Sequence, residues 1–114
     1  MESVVSADID GSGRFKYILI QLTDKSGAEK LLVRGYGRCE YHADIFDEVA
    51  PELEKLGLKT KCLGGGRIIH EPASKTIQVF GFSQGYGKAD HTKSVEILLK
   101  KFPDYKITCS DEGY

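Results

Sequence analysis

The chain has 114 residues, 40% hydrophobic and 29% charged, a length and balance that fit one globular domain, 1–114, with a core of its own. Its 16 basic and 17 acidic residues leave a formal charge of −1, which excludes the dominant basic surface of a general nucleic-acid or membrane binder but allows a local cationic pocket for a small anion. Three scattered cysteines (Cys39, Cys62, Cys109) without a CxxC pair, no signal-like start and no apolar run near the roughly 20 residues of a membrane span lead us to expect a cytoplasmic protein with free thiols.

A short strand is expected over Ser3 to Ile9, followed by the hairpin-type turn signal Asp10-Gly11-Ser12-Gly13. Phe15 to Leu22 is aromatic and β-branched and apolar on both faces apart from Lys16 and Gln21, so it reads as a strand covered on both sides. Thr23 to Glu29 is a polar loop, and Lys30 to Arg34 is the next strand, closed by Gly35. From about Glu40 to Leu58, the residues Ala43, Phe46, Val49, Ala50, Leu53 and Leu56 recur at helical spacing; Pro51 should kink or split this helix and Gly57 should stop it.

Leu58 to Leu63 forms another strand, running into Gly64-Gly65-Gly66-Arg67, and Arg67 to His70 continues extended. The turn Glu71 to Lys75 implies antiparallel pairing with the strand Thr76 to Phe80, which leads into the glycine-rich loop Gly81 to Gly87. A second helix starts at the N-cap Asp90, carries Val95, Leu98, Leu99 and Phe102 on its apolar face, and ends at Pro103; Tyr105 to Cys109 is the last strand. The order βββαββαβ is that of an α/β sandwich of two or three layers, with a sheet that is not doubly wound and parallel.

Four groupings could carry chemistry. The strand–loop–helix at Ser83-Gln84-Gly85 has the backbone freedom, hydroxyl and nearby helix start of an anion nest, though neither a Walker nor a dinucleotide fingerprint is present. His42 opens a helix, where the positive dipole end disfavours imidazolium and favours a bound anion; both effects suit a neutral, phosphoryl-accepting imidazole. Lys16, Arg34 and Arg67 are candidates for one cationic rim around a phosphoryl group. Cys39 and His42 could instead join Cys62, His70 or His91 around a metal, or act as a thiol–imidazole pair, but zinc normally shows two close-spaced pairs and only one exists here. A metal site is therefore not expected, and His70 and His91 read as structural or surface residues.

The blocks Val33–Tyr36 (VRGY), Glu40–Ile45 (EYHADI), Cys62–Arg67 (CLGGGR) and the closing Asp104–Tyr105 and Asp111–Tyr114 (DEGY) resemble the phosphohistidine phosphatases of the janus/ocnus group over nearly the whole chain. The resemblance implies a six-stranded mixed, largely antiparallel sheet with one helix on each face. It also implies a cofactor- and metal-independent phosphatase acting on phosphohistidine, in some members phospholysine, in protein substrates. The catalytic histidine falls on His42, the substrate-phosphate lysine on Lys16 and the phosphate loop on Ser83, Gln84 and Gly85. The glycine whose carbonyl orients the histidine falls on Gly64, and the supporting arginines fall on Arg34 and Arg67. Gln84 replaces an apolar residue and Gly85 a small side chain, changes that keep the amide donors. Neutral His42 would attack phosphorus, or as a general base activate water; the phosphate would be held by Lys16, Ser83 and the amides of Ser83 to Gly85. A monomer is expected. The alternative from another class is a phosphate- or phosphohistidine-binding regulator without turnover.

Overall fold

The run Phe15 to Leu22 lies at the centre of the molecule. In the computed structural model, which describes residues 1–111, it forms most of β2 (Gly13–Thr23), antiparallel to β3 (Glu29–Gly35) on one edge and to β4 (Lys59–Glu71) on the other. β1 (Ala7–Ile9) extends the sheet parallel to β3; β5 (Thr76–Phe80) lies antiparallel to β4, and β6 (Lys106–Cys109) parallel to β5. The spatial order is β1-β3-β2-β4-β5-β6, and the two helices are α1 (His42–Glu54) and α2 (His91–Lys101). The expected element order and mixed six-stranded sheet are both observed.

Side chains alternate across a pleated strand, and here the alternation feeds two cores. Tyr17, Leu19, Val33, Ile68, Ile77 and Val79 pack with Leu98 of α2. Ile18, Ile20, Leu22 and Leu32 pack with Ile45 and Leu53 of α1 and with Leu58. β2 is thus buried on both faces, as its unbroken apolar run requires. Full burial of each such aliphatic side chain is worth about 1.5–3 kcal/mol, so this strand anchors both layers.

Several boundaries differ from those expected. Only Ala7 to Ile9 of the first segment is strand, and the Asp10–Gly13 turn does not close a hairpin, because β1 pairs with β3 and not with β2. The first helix ends at Glu54, short of Leu58, with Pro51 inside a single element. Pro51 lacks a donor but its carbonyl still accepts from Lys55 N (3.1 Å), so the chain completes one further turn. It then closes through Gly57 at φ +81°, with Leu58 N donating to Leu53 O (3.4 Å). Leu56, expected on the apolar stripe, lies beyond the helix and is 63% exposed. The glycine run does not end a strand: β4 continues through Gly64 to Gly66, with a register shift opposite Leu19 and Ile20.

Candidate active site

Tyr41 is extended (φ −121°, ψ 156°), its amide donates to the Asp44 carboxylate (2.9 Å), and the helix begins at His42. His42 is buried, and its Nε2 lies 2.9 Å from the carbonyl oxygen of Gly66. A carbonyl only accepts, so Nε2 carries the proton and Nδ1 keeps its lone pair. Nδ1 has no hydrogen-bond partner among the described residues. Burial holds the pKa of His42 below the ordinary histidine range; the Gly66 bond opposes this, while the nearby Lys16 and Arg67 charges lower it further. The ring is therefore neutral at physiological pH.

The three glycines serve three different neighbours. A Cβ on Gly65 would stand 2.7 Å from His42 Cδ2, so the imidazole can lie flat on the strand only because that atom is absent. A Cβ on Gly64, which has φ +153°, would meet Ala89 N at 2.7 Å. One on Gly66 would press on the Phe80 carbonyl and stand 2.7 Å from His91 Cε1, on the opposite face. The expected orienting carbonyl of Gly64 is not the one used: that oxygen lies 3.7 Å from Cys62 Sγ, and Gly66 holds the histidine instead. Gly65 lies beneath the ring, so the carbonyl within reach of Nε2 is the one that follows it along the strand.

Lys16 and Arg67 are direct register partners on β2 and β4, on the same face as Ile18 and Gly65, and hence as His42. Like charges side by side on neighbouring strands repel, and an anion placed between them relieves that cost. Lys16 Nζ donates to the carbonyl of Glu40 (2.6 Å) and stands 5.3 Å from the Tyr41 ring centre, which aims it at the start of α1.

The glycine loop is closed by Ser83. Its amide donates to Gly87 O (3.0 Å), its carbonyl accepts from Gly87 N (2.8 Å) and its hydroxyl oxygen accepts from Tyr86 N (3.2 Å). The Ser83 amide is thus committed within the loop, contrary to the expected run of three phosphate-binding amides; its hydroxyl proton remains a donor. The amides of Gln84 and Gly85 make no hydrogen bond among the described residues. Gly65 N donates to Gly87 O (3.0 Å) and Ala89 N to Gly65 O (3.1 Å), tying the loop to the strand beneath His42. Tyr86 packs edge-on against Phe46 of α1, with ring centres 6.0 Å apart.

Lys16, His42, Arg67, Ser83, Gln84 and Gly85 all line one cleft of about 660 Å³, with Tyr41, Ala43 and Tyr86 completing its wall. Arg34 does not line it. Its buried guanidinium donates to the carbonyls of Val5 (2.6 Å), Val33 (2.9 Å) and Ser6 (3.4 Å), and so fastens the N-terminal segment over β3. Burial lowers its pKa, and β2 separates its strand from β4. The sequence reading passed over Tyr41, Ala43, Tyr86, Gly65 and Gly66. Adjacency to His42 was a usable signal for the first two; the glycine roles depend on register.

The other reactive side chains lie elsewhere. Burial raises the thiol pKa of Cys39 and pushes that of Cys62 up to about 11, so neither is a thiolate at neutral pH. Among the described residues no three His, Cys, Asp or Glu side chains gather as a metal site would need. His70 donates through Nδ1 to Asp10 O (2.9 Å) and accepts from Tyr105 (3.1 Å). His91 donates through Nε2 to Gly81 O (2.8 Å) and accepts from Tyr17 (2.6 Å). Both are structural.

A model of the Janus/Ocnus family matches residues 1–106. The chain belongs to the Janus/Ocnus family. Among its Janus/Ocnus relatives, the sex-regulated protein janus-A of Drosophila pseudoobscura pseudoobscura is 53% identical over 94% of this chain and 75% of its own length. The janus-A protein of Drosophila melanogaster is 49% identical over 93% of this chain and 78% of its own length. The 14 kDa phosphohistidine phosphatase of Sus scrofa is 45% identical over 100% of this chain and 95% of its own length. The blocks that carried the resemblance fall on β3, on the start of α1, on β4 and, at Asp104–Tyr105, just before β6; of the last, Asp111–Tyr114, residues 112–114 lie outside the described residues. No helix among the described residues is long and apolar enough to cross a membrane.

Proposed function

We propose that this chain is a metal-independent protein phosphatase that hydrolyses phosphohistidine, and phospholysine in the same site, through His42. The observation that carries the reading is one arrangement: a neutral imidazole with Nδ1 open, in a cleft that also holds Lys16, Arg67 and two uncommitted amides. The identity to a named phosphohistidine phosphatase, spanning the full chain, supports it.

The phosphoryl group of phosphohistidine sits on a reactive P–N bond, so positioning and charge stabilisation carry most of the catalysis. Nδ1 of His42 donates its lone pair to phosphorus in line with the departing nitrogen. The P–N bond to the substrate breaks, its electron pair leaves on the substrate imidazole, and that nitrogen takes a proton from solvent. Lys16, Arg67, the Ser83 hydroxyl and the amides of Gln84 and Gly85 hold the three oxygens. Water then attacks phospho-His42, releasing inorganic phosphate and restoring the neutral ring.

Acid quench of a single turnover with excess EDTA present tests the proposal. A phosphorylated protein, absent in His42→Ala, is expected; turnover without any trapped intermediate would assign His42 to general-base activation of water instead. Normal turnover by His42→Ala, or loss of wild-type activity on chelation, would overturn the reading. The Drosophila relatives, named for sex regulation and not for catalysis, favour one alternative, a binding-only regulator. Saturable binding of a phosphohistidine peptide without hydrolysis would establish that instead.

A further inference from the structure

Lys16, His42, Arg67, Ser83, Gln84 and Gly85 attack or hold the phosphoryl group, which leaves Tyr41, Ala43 and Tyr86 as cleft walls without a part in that chemistry. A cleft of about 660 Å³ is far larger than a phosphoryl group, so it also admits the side chain that carries one. That side chain must lie against the walls. Ala43 offers one methyl, and Tyr86 is half-buried with its ring edge-on to Phe46. Tyr41 is 60% exposed, and among the described residues it is the one exposed large hydrophobic side chain that lines the cleft.

Tyrosine is not a residue that a helix start selects. The N-cap favours Ser, Thr, Asp and Asn, whose short side chains reach the open amides of the first turn. Tyr41 instead contributes its backbone: its amide donates to the Asp44 carboxylate (2.9 Å) and its carbonyl accepts from Asp44 N (3.0 Å). These two bonds, on either side of its Cα, fix where the ring leaves the chain. A position that departs from the local preference and exposes an aromatic ring beside a reacting centre is marked by function more than by stability. Lys16 Nζ stands 5.3 Å from the Tyr41 ring centre. With Lys16 on the phosphoryl oxygens, a ring bonded to that phosphorus comes within the roughly 4.5–7 Å at which aromatic rings stack. Phosphohistidine brings such a ring, a flat imidazole; phospholysine brings a flexible alkyl chain.

We infer that Tyr41 is a specificity-determining residue for the side chain that bears the phosphoryl group. Its exposed ring stacks on the imidazole of phosphohistidine and orients the P–N bond toward His42, a contact that the alkyl chain of phospholysine does not reproduce. This rests on the phosphatase reading and adds to it a ranking of substrates, phosphohistidine ahead of phospholysine.

The test uses two peptides of one sequence, phosphorylated on histidine in one and on lysine in the other. Wild type is compared with Tyr41→Phe, which keeps the aromatic face, and with Tyr41→Leu, which keeps apolar bulk without it. The quantity read is the ratio of kcat/KM on the two peptides, because a loss transmitted through Lys16 strikes both alike and cancels. Wild type and Tyr41→Phe should share one preference for phosphohistidine, and Tyr41→Leu should lower it about five- to tenfold. A titration needs no turnover: a peptide carrying a triazolyl phosphonate, a stable aromatic mimic of phosphohistidine, should shift the Tyr41 ring protons in NMR further than inorganic phosphate does. No preference in wild type, an unchanged ratio in Tyr41→Leu, an equal fall in Tyr41→Phe, or ring protons that move no further with the mimic than with phosphate would overturn the stacking role. Failure of wild type to hydrolyse either peptide, with the mimic still shifting the ring and binding Tyr41→Leu more weakly, would overturn the phosphatase reading alone.

Discussion

At the scale of single residues, the consequences of His42 follow from where its proton sits. Burial and the two neighbouring cations hold its pKa low, so the working neutral form is lost only when pH falls below the ordinary histidine value of about 6.5. The unfolded chain binds that proton first, so the same shift makes stability rise with pH between the folded and unfolded pKa values and level off above the latter. kcat/KM on phosphoramidate should therefore hold level from neutral pH through the ordinary histidine value before its acid limb begins. Removing the Lys16 charge in Lys16→Met takes away one cause of the depression, so the acid limb should move to higher pH while kcat falls on the order of 10²-fold with the lost oxygen contact. Ring titration by NMR alongside the rate profile checks both; an acid limb that stays in place in the variant would uncouple Lys16 from His42. Residue type made His42, Lys16 and Arg67 legible in the sequence. It could not separate Arg67 from Arg34: both are arginines beside a glycine in a strand, and only the fold reveals that Arg34 is occupied by the carbonyls of Val5, Ser6 and Val33.

Among the elements, β4 is the one whose reading changed most. Helical periodicity located both helices, and an unbroken or β-branched apolar run located β2 and β5, because each buries enough apolar surface to mark itself in the sequence. The glycine run has no stripe, so the strand was expected only as far as Leu63, whereas the missing side chains admit His42 on one face and His91 with Tyr17 on the other. Close approach from both sides of a strand is set by register and leaves no mark in local composition. The contrast between two glycines of the site makes this testable. Gly65→Ala would drive a methyl to 2.7 Å from His42 Cδ2 and 2.8 Å from Tyr17 O, so activity should collapse and stability should fall by about 1–3 kcal/mol. Gly85→Ala meets nothing within 4 Å and carries no positive φ, so it should retain activity and gain about 0.4–1 kcal/mol from the less mobile unfolded chain. Urea midpoints and phosphoramidate turnover on both variants decide it; equal tolerance would mean that His42 does not lie against Gly65.

Across the whole molecule, stability and function occupy different parts of the same sheet. β2 and the two apolar clusters hold the layers together, while the region beyond α1 keeps Lys16 and Arg67 adjacent in register, two like charges that an anion between them would bridge. A ligand that neutralises them binds only the folded chain, so it should raise the melting temperature by mass action. Inorganic phosphate at ten times its dissociation constant should add about 1.4 kcal/mol, a rise of roughly 6 °C for a domain of this size. Chloride at matched ionic strength controls for general screening, which relieves surface repulsion without occupying the cleft. In Lys16→Met the phosphate-dependent rise should shrink by half or more while the chloride response stays small. In Arg34→Met the opposite pattern is expected: a lower starting temperature, since three carbonyls lose their donor, with the phosphate-dependent rise preserved. A rise abolished by Arg34→Met and kept by Lys16→Met would place the anion at the edge of β3 and not between β2 and β4. That result would remove the physical basis for assigning the chemistry to His42.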